Sequence, residues 1–172
     1  MKEHKQKRGR NSLMKVENII KLIFSISICQ FAGVLGSRFT SPSIPGWYAS
    51  LQKPYFSPPN WIFAPVWILL FTLMGISLYL ILRENFNDNT VKIGIAIFTF
   101  QLLLNISWSF LFFNLQNILF AFFEIIFLWI AISLTIYQFW KINKKSSYLL
   151  VPYLLWVTFA AILNFSIWRI NI

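Results

Sequence analysis

The residues best equipped for chemistry in this chain are indoles, phenols and side-chain amides, set inside or beside long apolar runs. The densest group lies over residues 47–67, where Trp47, Tyr48, Tyr55, Phe56, Trp61, Phe63 and Trp67 are interleaved with Pro54, Pro58, Pro59 and Pro65. Proline fixes φ and supplies no backbone donor, so Pro54, Pro58 and Pro59 predict an extended, non-helical connector. Stiff rings on such a connector suit a lid over an apolar cavity, with Trp47, Tyr48, Tyr55 and Phe56 as its cover. The same rings suit a membrane-interface belt, where Trp and Tyr are enriched. Conventional catalysis has no foothold. Cys29 is the single cysteine, which rules out an intrachain disulfide. His4 stands alone, and no Cys/His cluster, Gly-rich phosphate loop, nucleophile elbow or paired carboxylate occurs. Neither a catalytic group nor a metal site is expected.

A second group is spread along the apolar runs. Gln101, Asn105, Trp108 and Phe112 recur at steps of four, three and four, which places them on one helical face. Trp156, Ala160, Leu163, Asn164 and Ile167 do the same in the last run, and Phe63, Trp67, Leu70 and Met74 in the second. Polar groups inside a bilayer are costly and turn toward the protein interior. Three helices thus offer a tryptophan each, and two add an amide, to a common interior. Asn105 and Asn164 serve equally as hydrogen-bonding glue between helices, worth about 0.6 to 2 kcal/mol each. The small Ala160 leaves room for something flat. Glu124 is the one acid well inside a run; with no titratable partner at its depth, it is expected to hydrogen-bond a neighbouring helix rather than relay protons.

The elements that must position these groups follow from composition. The chain has 172 residues, of which 58% are hydrophobic and only 12% charged. Mean hydropathy is +0.64, too apolar for a soluble domain of this size to cover with polar surface. Apolar runs over 19–37, 61–82, 91–113, 118–140 and 148–168 each approach the ~20 residues needed to cross the hydrocarbon core. An all-α membrane protein is expected, a five-transmembrane-helix bundle with a long first inter-helix loop over about 38–60. Residues 1–18 form a basic tail expected to be disordered, and 19–172 the membrane domain. Ala32 and Gly36 have the small-xxx-small spacing that permits close helix approach. The other connectors are short, which predicts an up-and-down antiparallel set for the last four spans.

A formal charge of +10 invites a nucleic-acid reading, which the distribution of cations excludes. Twelve of the lysines and arginines fall on one side of the spans, in the tail and the even-numbered connectors, against Arg38, Lys53 and Arg169 on the other. The positive-inside bias then places the N-terminus in the cytoplasm and the C-terminus outside, with the tail adhering to anionic headgroups. A lipoprotein signal at Cys29 is disfavoured by the bulky Ile28 before it.

These segments resemble the TspO/MBR family, the tryptophan-rich sensory proteins related to the mitochondrial translocator protein. The resemblance is carried by Trp47, Tyr48, Ala49, Leu51, Lys53, Pro54, Phe56, Pro58 and Pro59, then Pro65, Val66, Trp67, Met74 and Gly75. It continues with Gln101, Leu102, Leu104, Asn105, Trp108, Phe112 and Phe113, and ends with Pro152, Tyr153, Trp156, Ala160, Leu163 and Asn164, in family order over about residues 20–170. It implies five transmembrane helices, a homodimer and a ligand pocket closed by the first loop, in a multi-pass protein of the bacterial plasma membrane. The implied ligand is a porphyrin, with no tightly bound cofactor; Trp67, Asn105, Trp156, Ala160 and Leu163 match pocket positions. The resulting candidate site is Trp47, Tyr48, Phe63, Trp67, Asn105, Trp108, Trp156, Ala160, Leu163 and Asn164. A sensor or regulator of tetrapyrrole responses is the expected function, with a porphyrin exporter or a light-dependent porphyrin-degrading enzyme as alternatives. The animal-type sterol motif is incomplete, because no tyrosine stands between Leu163 and Arg169, and Phe120 replaces a tryptophan of animal members.

Overall fold

A computed structural model describes the backbone of residues 2–172 and the side chains of residues 14–172. The elements are α1 (Lys2–Ser43), α2 (Trp47–Ser50), α3 (Asn60–Leu82), α4 (Asn89–Ser109) continued by a π-helical turn (Phe110–Asn114), α5 (Ile118–Ile142) and α6 (Lys144–Ile170). No strand occurs among the described residues. Among the described residues, five helices are long and apolar enough to cross a membrane: Met14–Ser43, Asn60–Leu82, Asn89–Asn114, Ile118–Ile142 and Lys144–Ile170. The tail expected over 1–18 falls mostly outside the described side chains, and its described backbone belongs to α1.

Short polar turns start the later helices. Asp88 accepts a hydrogen bond from the Thr90 N–H at 2.8 Å, Asn117 from Phe120 N–H at 3.0 Å and Asn143 from Lys145 N–H at 3.1 Å, each satisfying a donor the helix start leaves open. Asn143 also donates to Glu84 at 3.1 Å, tying two connectors together at one end of the bundle.

The helices close into a ring. α1 packs on α3, α3 on α6, α6 on α5, α5 on α4, and α4 back on α1. Consecutive α3 and α4 scarcely touch, because α1 stands between them. A Cβ on Gly75 of α3 would lie 2.5 Å from the Ile26 Cα of α1, and one on Gly33 would lie 2.6 Å from the Phe71 ring. Hydrogen in place of a side chain lets these helices touch backbone to backbone. Gly36 of the anticipated pair instead faces Ser109 of α4. Two buried clusters result, one around Met74, Phe98, Leu128, Phe139 and Tyr153. The other gathers Tyr48, Phe112, Phe113, Ala121, Leu163 and Ile167 on the side of the first connector.

The connector departs from the expected loop. α1 runs on through Pro42 to Ser43, and Trp47–Ser50 makes a helical turn, so only residues 44–46 and 51–59 are turned or extended. Pro42 lacks the N–H that would bond the carbonyl of residue 38, and α1 ends one residue later. Gly46 opens α2 and its carbonyl accepts from the Ser50 N–H at 3.2 Å.

Candidate functional site

Between α1, α3, α4 and α6, under α2, lies a cavity of about 380 Å³. That volume is within the range of small-molecule sites. α3 contributes Phe63 and Trp67, α4 contributes Asn105 and Trp108, and the π turn adds Phe112 and Phe113. α6 contributes Trp156, Ala160, Leu163 and Asn164, and α2 closes the end with Tyr48. No acidic side chain, lysine, arginine or histidine lines it among the described residues. A neutral, flat, apolar molecule fits such walls; a buried charge would lack a partner.

Aromatic edges and faces build the wall. Trp108 stacks on Phe112 at 5.1 Å and 25°, and Trp67 on Phe71 at 5.4 Å and 29°. Phe63 meets the Trp156 ring edge-on at 6.0 Å. Two amides brace these rings. Asn105 donates through Nδ2 to the Tyr153 hydroxyl at 2.9 Å. Asn164 Oδ1 accepts from the Trp108 indole N–H at 3.1 Å, while its Nδ2 donates to the Ile118 carbonyl at 2.9 Å. Gluing helices and lining the cavity are therefore one role for each amide.

The π turn at the end of α4 brings the Phe112 and Phe113 rings to the cavity. It ends with the Leu115 N–H bonded to Phe110 O at 2.9 Å, and Gln116 at φ 54° reverses the chain into α5. Single π turns inside α-helices recur at functional sites. The Phe113 carbonyl accepts from the Ser43 hydroxyl at 2.8 Å, which fixes the end of α1 to it.

Over the cavity, Tyr48 is only 4% exposed and its ring lies 5.6 Å from Phe113. Lys53 sits 4.4 Å above the same ring. Burial raises the Tyr48 phenol above its ordinary pKa, and the nearby Ser57 hydroxyl opposes that shift. Asn171, just past α6, clasps the connector. Its Oδ1 accepts from the Gln52 N–H at 3.0 Å and its Nδ2 donates to the Gln52 carbonyl at 2.9 Å.

The structure gathers every expected site residue around this cavity except Trp47. Neighbouring residues of a helical turn point about 100° apart, so with Tyr48 inward Trp47 lies behind it, 5.5 Å from Phe112. Tyr55 is fully exposed and covers nothing. The turn closed by the Ser57 N–H on Pro54 O at 3.0 Å throws it outward. Phe56 packs instead against Phe159 at 6.4 Å. Leu70 and Met74 do not line the cavity and are buried in the cluster against which Trp67 packs. Gln101 is buried but does not line the cavity, and its amide has no partner among the described residues. Glu124 was expected to hydrogen-bond a neighbouring helix, yet both its oxygens are buried without a partner among the described residues. The face of α1 went unanticipated: Gly33, Gly36, Ser37, Thr40 and Ser41 all line the cavity. Their small side chains at helical spacing were the available signal.

A helical bundle spanning the membrane five times around an uncharged aromatic cavity defines the class. The chain belongs to the TspO/MBR family, whose pattern it matches over residues 25–169, and is an integral multi-pass membrane protein. It is 48% identical over 155 residues to the tryptophan-rich protein TspO of Archaeoglobus fulgidus, covering 90% of this chain and 99% of that one. It is 34% identical over 139 residues to the human translocator protein, covering 80% and 82% of the two chains. It is 30% identical over 125 residues to the tryptophan-rich sensory protein of Cereibacter sphaeroides, covering 73% and 77%.

Proposed function

We propose that the protein binds a porphyrin such as protoporphyrin IX in this cavity and works as a membrane sensor or regulator of tetrapyrrole supply. The observation that carries the reading is the pair of indoles, Trp67 and Trp156, which face one uncharged cavity from adjacent helices under an aromatic cover. Planar rings stack on such walls with little loss of conformational freedom. The propionates of the ligand point toward the connector, where Lys53 stands over Tyr48. That pairing lies at the outer surface, where Lys53 is half-buried, and contributes on the order of 0 to 1 kcal/mol, so the rings dominate affinity. The protein acts as a homodimer in a bacterial plasma membrane with its N-terminus cytoplasmic.

Protoporphyrin IX titrated into purified protein should quench tryptophan fluorescence and shift the Soret band. Trp67→Ala and Trp156→Ala should each weaken binding about tenfold, the loss of one aromatic contact. Equal affinity in both variants and the wild type would refute the assignment. Illumination separates binding from chemistry: Soret loss that vanishes in Trp67→Phe/Trp156→Phe would make the protein an enzyme rather than a receptor.

A further inference from the structure

The cavity has a side as well as an end. On α1, Val34, Ser37 and Ser41 are exposed on the outside of the bundle and also line the cavity. On α3, Asn60, Ala64 and Ile68 have the same double character. Steps of three and four on one helix, and of four and four on the other, make two facing stripes. A residue that touches both surroundings and cavity marks a gap in the wall, and six of them in two rows mark a fissure between α1 and α3.

The fissure has a closed foot. Gln30 of α1 donates to Ile68 O and to the Thr72 hydroxyl of α3, both at 2.9 Å. Below it, Gly75 lies against Ile26, so the helices are in direct contact there, and Gly33, one turn nearer the connector, meets the Phe71 ring at the inner wall of the cavity. The end of the cavity is meanwhile covered by Tyr48, Lys53 and the Gln52–Asn171 clasp. The rim suits hydrocarbon. Val34 and Ile68 are 53% and 60% exposed apolar side chains. The Ser37 hydroxyl is bonded to its own helix at Val34 O, 2.8 Å away, and presents no open donor to acyl chains.

We propose that the cavity is loaded sideways, by a ligand dissolved in the acyl-chain region of the bilayer and passing through the fissure between α1 and α3. The proposal rests on the porphyrin reading only for the identity of that ligand. An apolar molecule is already concentrated in the bilayer by the hydrophobic effect. A neutral, small-residue passage lets it move into the cavity without crossing water and without disturbing the connector.

Two measurements test this, one of them without any ligand. In vesicles of brominated phosphatidylcholine, the Trp67 contribution to fluorescence is the difference between wild type and Trp67→Phe. It should be quenched by bromines in the acyl chains, and protected in Ser37→Phe/Ala64→Phe, which fills the fissure. A Trp67 that no bromine position quenches overturns the proposal, whether a second copy of the chain or a closed helix contact covers the gap. In the second measurement, protoporphyrin IX preloaded into the vesicles is followed by stopped flow. Ser37→Phe/Ala64→Phe should slow both association and release about tenfold, so that rates change more than affinity. Asn171→Ala, which frees the connector, should associate at the wild-type rate. The reverse pattern, with Asn171→Ala faster and the filled variant unchanged, places access at the connector end and overturns lateral loading. Absence of any porphyrin binding by the wild type removes the porphyrin reading, and the bromine measurement still decides the fissure.

Discussion

Each amide of the cavity is hydrogen-bonded to the protein. Asn105 is held by Tyr153, and Asn164 bridges Trp108 to the start of α5 at Ile118. The rings are therefore set before a ligand arrives, which lowers the ordering cost of binding. Glycine does comparable work at the α1–α3 contact. Gly75→Ala would place a methyl 2.5 Å from the Ile26 Cα, a backbone atom that yields only if the helices part. A loss of about 1 to 3 kcal/mol is expected, as for other overpacked interiors. Gly46, with nothing within 4 Å of its added Cβ, is the control. Gly46→Ala should stay within about 0.5 kcal/mol of wild type. Thermal unfolding in detergent reads both, and equal melting of the two variants would mean that the α1–α3 contact is compliant.

At the scale of elements, the connector combines a helical turn, a proline-bounded turn and a clasp. α2 turns Tyr48 inward, Pro54 to Ser57 reverses the chain, and Asn171 holds Gln52. Pro54, Pro58 and Pro59 restrict the released connector, so its re-ordering costs less entropy than that of a flexible loop. Replacing all three with alanine should weaken porphyrin affinity about tenfold, from roughly 0.4 to 1 kcal/mol per proline, by loosening the cover over a ligand that enters between α1 and α3. A folded triple variant with unchanged affinity would reduce the segment to an interfacial anchor.

The whole molecule carries its orientation in its charges. Twelve cations flank one side of the spans and three the other. The N-terminus is accordingly expected in the cytoplasm and the C-terminus outside. In a Cys29→Ser background, Ile172→Cys should react with a membrane-impermeant maleimide on intact cells, and Lys5→Cys only after permeabilisation. A protected position 172 would reverse the orientation. The ring of helices adds a constraint that chain order hides, because α1 separates α3 from α4. The connector leaving α1 can therefore reach over the cavity toward both the π turn and the end of α6.

The sequence by itself determined the class and most of the cavity wall. Five apolar runs of spanning length demand helices, because backbone groups in hydrocarbon must be satisfied within their own segment. Helical spacing of Trp67, Asn105, Trp108, Trp156 and Ala160 then put each on an identifiable face, and those faces do meet around the cavity. Tertiary structure alone decided what depends on neighbours in space. Periodicity shows which residues share a face but not which helix that face meets, so the part played by α1 appeared only when it packed between α3 and α4. The π turn and the short α2 are local departures of a few residues, set by contacts with Ser43, Phe112 and Phe113 rather than by propensity. Pro54 and Tyr55 read as lid in one dimension. The direction in which a turn throws a ring is set by backbone dihedrals, and here it sends Tyr55 into the surroundings and leaves Tyr48 as the cover.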